Sequence, residues 1–210
     1  MITSLTTLIV SLFLLVPSPE HEGYSVGDKA TNFKLKNIDG SYISMGSNDL
    51  DKGYIVIFTC NTCPYSVAYE DRIIALHNKY VTKGYPVIAI NPNDPTVQPG
   101  DSFENMQKRA DKKSFPFPYV FDSTQETTLA YGATNTPHVY VVERASDDYI
   151  VRYIGGIDNN TRDATLVTKF YVQSAVDNLL KGKAVETTST KAIGCTIKWS
   201  TASKSKRAEL

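Results

Sequence analysis

Tyr54–Pro64 reads YIVIFTCNTCP, a run of β-branched and aromatic residues that closes on two cysteines spaced C-x-x-C. Tyr54–Thr59 is continuous rather than alternating, which suits a strand covered on both faces of a sheet. Beyond it, Val67, Ile73, Ile74, Leu76, Tyr80 and Val81 recur near helical spacing, and Gly84 stops the pattern after about Lys83. Pro86–Ile90 (PVIAI) is a second buried strand. Cys60 and Cys63 therefore stand at the strand-to-helix junction of a βαβ unit.

Outward from this unit the elements alternate. Asp39-Gly40 marks a turn inside Asn32–Met45, where Phe33, Leu35, Ile38, Tyr42 and Ile43 flank a hairpin. Asn91–Asp101, rich in Pro, Asn and Asp, is a loop. A charged helix follows over Phe103–Ser114, then a short strand at Tyr119–Phe121 and a short helix at Gln125–Tyr131 closed by Gly132. His138–Glu143 and Ile150–Ile154 pair around Ser146-Asp147-Asp148, and Thr165–Leu180 is a last helix stopped by Gly182. The polar, basic ending Ser200–Leu210 is expected to be a mobile tail. The pattern argues for an α/β layered fold with a mixed sheet.

Composition narrows the function classes. The 210 residues carry 22 basic and 22 acidic side chains, and the net charge of zero argues against a dedicated nucleic-acid binder. Hydrophobic residues at 41% suffice for one core, whereas three cysteines are too few for a disulfide scaffold. Met1–Val16 has no charged side chain, and its apolar stretch Leu8–Val16 is too short to cross a bilayer comfortably. With Pro17-Ser18-Pro19 behind it, it reads as a secretory signal, although the segment lacks a basic start and a clear cleavage site. Three segments result: a signal over 1–19, a globular domain over 24–183, and a tail over 184–210 that contains Cys195. Export would place the cysteines where disulfides persist.

The chemistry centres on the cysteine pair. The first turn of a helix leaves N–H groups unpaired, and their partial positive charge favours a thiolate. A thiolate is the attacking species in thiol–disulfide exchange. Cys60, at the helix mouth, is assigned as the attacking sulfur, and Cys63, inside the turn, as the resolving one. Pro64 suits a helix start. A structural zinc site would need four ligands, and only Cys195, His21, His77 and His138 could complete one. A static disulfide across so short a loop would add little stability. Pro137, in Thr134-Asn135-Thr136-Pro137-His138, is tolerated as a first strand residue, but an X–Pro bond can also be cis.

With these residues identified, the chain resembles the thioredoxin superfamily, and within it the AhpC/TSA-type, peroxiredoxin-like redoxin branch. The likeness runs from about Gly27 to Leu180. It is carried by Val26-Gly27-Asp28-Lys29-Ala30 leading to Phe33, by Phe58–Tyr65, by Ala68–Arg72, by Asn91–Asp94, by Tyr131-Gly132-Ala133 and by Thr136-Pro137, with Gly194–Trp199 (GCTIKW) resembling the ending of that branch. The resemblance implies a thioredoxin-like fold: a central mixed sheet flanked by helices, with an N-terminal hairpin and a strand and helix inserted after the first βαβ unit, within Asn91–Phe121. It implies a cis Thr136–Pro137 bond facing the cysteines, where Thr136 and Pro137 would hold a target disulfide in line for exchange.

The chain also departs from that branch. Peroxide-reducing cysteines of the family sit in P-x-x-x-T-x-x-C, whereas Ile57 lies three residues before Cys60 and Cys60 three before Cys63. Gln125 and Glu126 occupy the stretch where the assisting arginine is expected. The expected function is thus thiol–disulfide exchange, with a thiol peroxidase as the alternative and a copper-binding protein third, since thiolates with an imidazole suit Cu(I).

Several further residues have two readings. Cys195 is either a buried or terminal free thiol or a second resolving thiol that folds back on the pair, and Ile197 and Trp199 just beyond it offer a means for this part of the tail to dock. His138 is either a proton relay or a packed strand residue. Among the 13 tyrosines, mostly half-buried packing, Tyr65 and Tyr69 alone lie near the cysteines, and Tyr65 is a candidate substrate contact. Asn159 fits the glycosylation pattern N-x-[ST]. The expected partners are a disulfide-bearing protein or small disulfide, with peroxide for the alternative, and an upstream electron donor. No cofactor, metal or nucleic acid is expected, and a membrane only through an uncleaved N-terminal segment.

Overall fold

The computed structural model describes residues 23–209, so the expected signal over 1–19 lies outside the described residues. In chain order the elements are β1 (Lys29–Ala30), β2 (Leu35–Asn37), β3 (Tyr42–Ile43), β4 (Gly53–Phe58), α1 (Pro64–Tyr80), β5 (Val87–Asn91), α2 (Phe103–Lys113), β6 (Tyr119–Phe121), α3 (Glu126–Tyr131), β7 (Asn135–Thr136), β8 (His138–Ala145), β9 (Asp148–Gly155), α4 (Tyr171–Leu180), β10 (Cys195–Thr196) and α5 (Thr201–Ala208). An eight-stranded sheet has the order β1-β9-β8-β4-β5-β6-β2-β3, and β10 pairs separately with β7. Strands β4, β5 and β6 are parallel, while β8 joins β4 antiparallel from the other side. The sheet is mixed, with the hairpin β2–β3 at one edge and α2–β6 inserted after the first βαβ unit.

Alternation along the central strands explains why both faces are covered. Ile55, Ile57, Val87, Ala89, Val139 and Val141 face a core completed by α1, α2 and α4, through residues such as Ile73, Met106 and Val176. Val56, Phe58, Ile88, Ile90, Tyr140 and Val142 face the opposite core, closed by Phe33, Met45, Tyr131, Ile197 and Trp199. All six residues of β4 are buried, as its continuous apolar run requires. Gly84 closes the helical stretch with φ 88°, after a 3-10 turn at Val81–Lys83.

Two expectations are corrected. The helix expected over Thr165–Leu180 is α4, which begins at Tyr171. Side chains claim the intervening backbone: Asn159 Oδ1 accepts from the N–H groups of Thr168 and Lys169, and Asp163 Oδ1 from that of Thr165. Such side-chain acceptors compete with helical pairing. Asn159 also donates from Nδ2 to Thr168 Oγ1, so the amide of the N-x-[ST] match is committed to the fold.

The tail, expected to be mobile, is docked. Ser200 caps α5 by accepting from the Ser203 N–H, and Ser203 is buried. Ile197 and Trp199 lie in the second core, 4% and 7% exposed. The polar composition of Ser200–Leu210 concealed this because the docking is carried by the two apolar residues just before it.

Candidate redox site

The end of β4 delivers Cys60 and the start of α1 follows it. Cys63 is the N-cap of α1 in extended geometry and Pro64 the first helical residue. The sequence had placed Cys63 inside the first turn; Cys60 instead lies in the turn ahead of the helix. Backbone N–H groups of Cys63 and Thr62 point at the Cys60 sulfur. Those of Asn61 and Thr62 also donate to Asp101 Oδ1, at 2.8 and 3.0 Å, and the Thr62 hydroxyl donates to Asp101 Oδ2 at 2.9 Å. Asp101 is fully buried and accepts a further bond from Asn93 Nδ2. A carboxylate thus grips the C-x-x-C turn from the loop that follows β5.

Opposite stands β7, joined to β8 by a cis Thr136–Pro137 peptide bond. All three cysteines meet at Thr136. The Cys60 sulfur is 3.3 Å from Thr136 Oγ1, and the Cys63 sulfur 3.1 Å from the Thr136 carbonyl oxygen. Cys195 is the antiparallel partner of Thr136 in β10–β7 and forms a disulfide with Cys63 across 132 residues, with a Cα separation of 5.9 Å. Cys60 is a free, buried thiol. The structure therefore joins Cys63 not to its neighbour in the motif but to the tail, and Cys195 is not a free thiol.

Burial pushes the Cys60 thiol above its ordinary value, and the Asp101 carboxylate adds to this. The Thr136 hydroxyl and the N–H groups of Cys63 and Thr62 pull the other way without prevailing. A helix terminus alone would lower the value, but Cys60 is only 4% exposed and the Thr62 N–H is shared with the buried Asp101 carboxylate.

His138 is 8% exposed, and burial pushes its pKa down to about 4. Its Nδ1 accepts from the Thr134 N–H at 3.3 Å, which ties the imidazole to the backbone ahead of β7. Tyr65 is half-buried in the first turn of α1. Tyr69 is buried and donates to Asp158, which Arg72 also binds.

Sequence reasoning missed Asp101, Asn93 and Gln125. Gln125, in left-handed geometry at φ 60°, donates from Nε2 to the carbonyls of Pro92 and Lys198 and accepts from the Ser200 N–H. Asn93 Oδ1 accepts from the Lys198 N–H. The residue found where an arginine was expected is a fastener for the tail. Behind Cys60 lies a cavity of about 10 Å³, room for one water. Glu70 and Arg109 line it and are bound to each other at 2.6 and 2.8 Å. Among the described residues no group of three or more His, Cys, Asp and Glu side chains is placed to hold a metal ion. Nor is any helix among them long and apolar enough to cross a membrane.

Residues 26–154 match the AhpC/TSA family, well over half of the chain. The chain belongs to the AhpC/TSA family. This redoxin is 23% identical over 128 residues to the thiol-disulfide oxidoreductase ResA of Geobacillus thermodenitrificans, which covers 60% of the chain and 67% of that relative. Among solved structures it is similar to an uncharacterized conserved protein of Geobacillus kaustophilus. The two are 35% identical, with a TM-score of 0.76, covering 84% of this chain and 93% of the other. A hypothetical protein of Sinorhizobium meliloti 1021 is 30% identical with a TM-score of 0.78, covering 85% and 97%. The redoxin is a thioredoxin-like protein of an oxidoreductase family.

Proposed function

We propose that this redoxin is a thiol–disulfide oxidoreductase in which Cys60 and Cys63 exchange a disulfide with a polypeptide or small-molecule partner. The observation that supports it most is the convergence of the Cys60 and Cys63 sulfurs on Thr136, beside a cis-proline and ahead of a helix. The N–H groups aimed at the Cys60 sulfur would stabilise a thiolate once the site is open to water. In the exchange, the Cys60 thiolate attacks one sulfur of the partner disulfide and the other leaves as a thiolate. Cys63 then attacks Cys60, which releases the second partner thiol and leaves Cys60–Cys63 joined. An upstream dithiol resets the pair, and no cofactor enters. The apolar stretch Leu8–Val16 favours action outside the cytoplasm, where disulfides persist.

Peroxidase chemistry has less support. Ile57, where that chemistry needs a threonine, is fully buried in the core, and Arg109 near Cys60 is tied to Glu70. The test is reduction of an insulin-type disulfide by the reduced full chain. Cys60→Ser is expected to lose this activity while unfolding at the same temperature as the parent. Full activity in Cys60→Ser would overturn the reading. Oxidation by hydrogen peroxide faster than that of free cysteine would favour the peroxidase instead.

A further inference from the structure

The Cys63–Cys195 bond is not a staple between two otherwise loose pieces. The tail is fixed on both sides of Cys195 by contacts that do not involve sulfur. Upstream, the Thr190 N–H donates to the Ile154 carbonyl at 3.0 Å, and Thr190 Oγ1 accepts from the Gly156 N–H and meets the Tyr153 hydroxyl. Downstream, the Ile197 N–H donates to the Thr134 carbonyl, Lys198 is held by Asn93 and Gln125, and Ile197 and Trp199 are buried. Cys195 is thus carried on a short span between Thr190 and Ile197, and breaking its disulfide leaves it tethered beside Thr136. A thiol held this way acts at high effective concentration.

Its position is that of a partner strand. Cys195 pairs antiparallel with Thr136, Thr196 with Asn135, and Asn135 Nδ2 donates to the Gly194 carbonyl at 3.1 Å. Gly194 permits the approach: a Cβ there would lie 2.2 Å from the Thr136 carbonyl oxygen. Cys60 and Cys63 are 4% and 3% exposed, whereas Cys195 is half-buried. Of the three cysteines, the one in the tail is the most exposed residue.

We propose that Gly194–Ile197 is a built-in partner strand and Cys195 a third redox-active cysteine, with the disulfide passing between Cys63–Cys195 and Cys60–Cys63. This rests on the exchange chemistry proposed above and adds a step internal to the chain. The Cys60 thiolate attacks the Cys63 sulfur, the Cys60–Cys63 bond forms, and the Cys63–Cys195 bond breaks. Cys195 departs as a thiolate and takes up the proton that Cys60 lost. One disulfide and one thiol are present before and after, so no outside oxidant or reductant is consumed. The step moves the free thiol from a buried position to a more open one.

The test uses the oxidised full chain with one disulfide, incubated under native conditions with N-ethylmaleimide and no reductant, then acid-quenched and mapped by mass spectrometry. Label is expected to accumulate on Cys195, with Cys60–Cys63 appearing in step. In Cys60→Ser, and in Cys60→Ala should serine disturb the fold, labelling of Cys195 is expected to be lost and Cys63–Cys195 to persist. Label confined to Cys60 in the parent chain, or equal labelling of Cys195 in the Cys60 variants, would overturn the proposal. Because no external disulfide is present, these results are independent of the insulin assay. Internal transfer without insulin reduction would contradict the proposed function alone, and insulin reduction without transfer this step alone.

Discussion

Gly194→Ala tests how closely the tail is held against the cis-proline strand. The added methyl carbon would meet the Thr136 oxygen at 2.2 Å, the Thr136 carbonyl carbon at 2.6 Å and the Pro137 nitrogen at 3.1 Å. All three are backbone atoms at a cis bond, so no side chain can swing away. Ordinary contact begins near 3.4 Å, and the two strands must part by about 1 Å. That separation weakens the Asn135–Gly194 and Ile197–Thr134 hydrogen bonds, at roughly 1 kcal/mol each. It also moves Cys195 from a Cα separation of 5.9 Å towards the limit of about 6.8 Å that disulfides span. A loss of about 2 kcal/mol is roughly a 30-fold change in equilibrium. The assay is urea unfolding of the oxidised chain. Gly194→Ala is expected to lose about 2 kcal/mol of unfolding free energy. A loss below about 0.5 kcal/mol would show that the strands are not in close contact, and the reasoning would fail.

Other expectations concern the anchors and the titrating groups. Trp199→Ala removes a side chain only 7% exposed and should cost about 3–5 kcal/mol in urea unfolding; a loss below 1 kcal/mol would mean that the tail is not part of the core. The ultraviolet thiolate absorbance of Cys60 in Cys195→Ser, whose Cys63 is blocked as a mixed disulfide, should reach half its limit at a pH above that of free cysteine, because burial raises its thiol. Half-maximal absorbance below pH 8 would contradict that environment. His138 has a folded pKa near 4 against an ordinary 6.5, so it stabilises the fold fully above pH 6.5, and this contribution is lost as pH falls towards 4. The depression is worth about 3 kcal/mol. His138→Gln should flatten the stability profile between pH 6.5 and 4, and an unchanged slope would refute the assignment.

Much of the scaffold was legible because its signals are local. The unbroken run Tyr54–Thr59, the helical spacing from Val67 to Val81 and the turn at Asp39-Gly40 each report a periodicity or a backbone preference set within a few residues. Local composition misled where a side chain overrode it. Asn159 and Asp163 bind the backbone that would have begun α4 six residues early, and Ile197 and Trp199 dock a tail whose ending looks solvated. Asp101, Asn93 and Gln125 left no periodic trace, since a single buried polar side chain is defined by the groups it meets and not by its neighbours in sequence.

The sequence alone determined that two cysteines stand between a buried strand and a helix, ahead of a threonine–proline pair, because hydrophobic pattern and turn chemistry act over short stretches of chain. Tertiary structure alone decided which sulfur Cys63 bonds, since that choice depends on β10 meeting β7 from 132 residues away. It also decided that the Cys60 thiol is pushed up rather than down. A helix terminus favours the thiolate, but burial and the Asp101 carboxylate outweigh it, and both come from segments distant in sequence, among them the loop after β5 that carries Asp101.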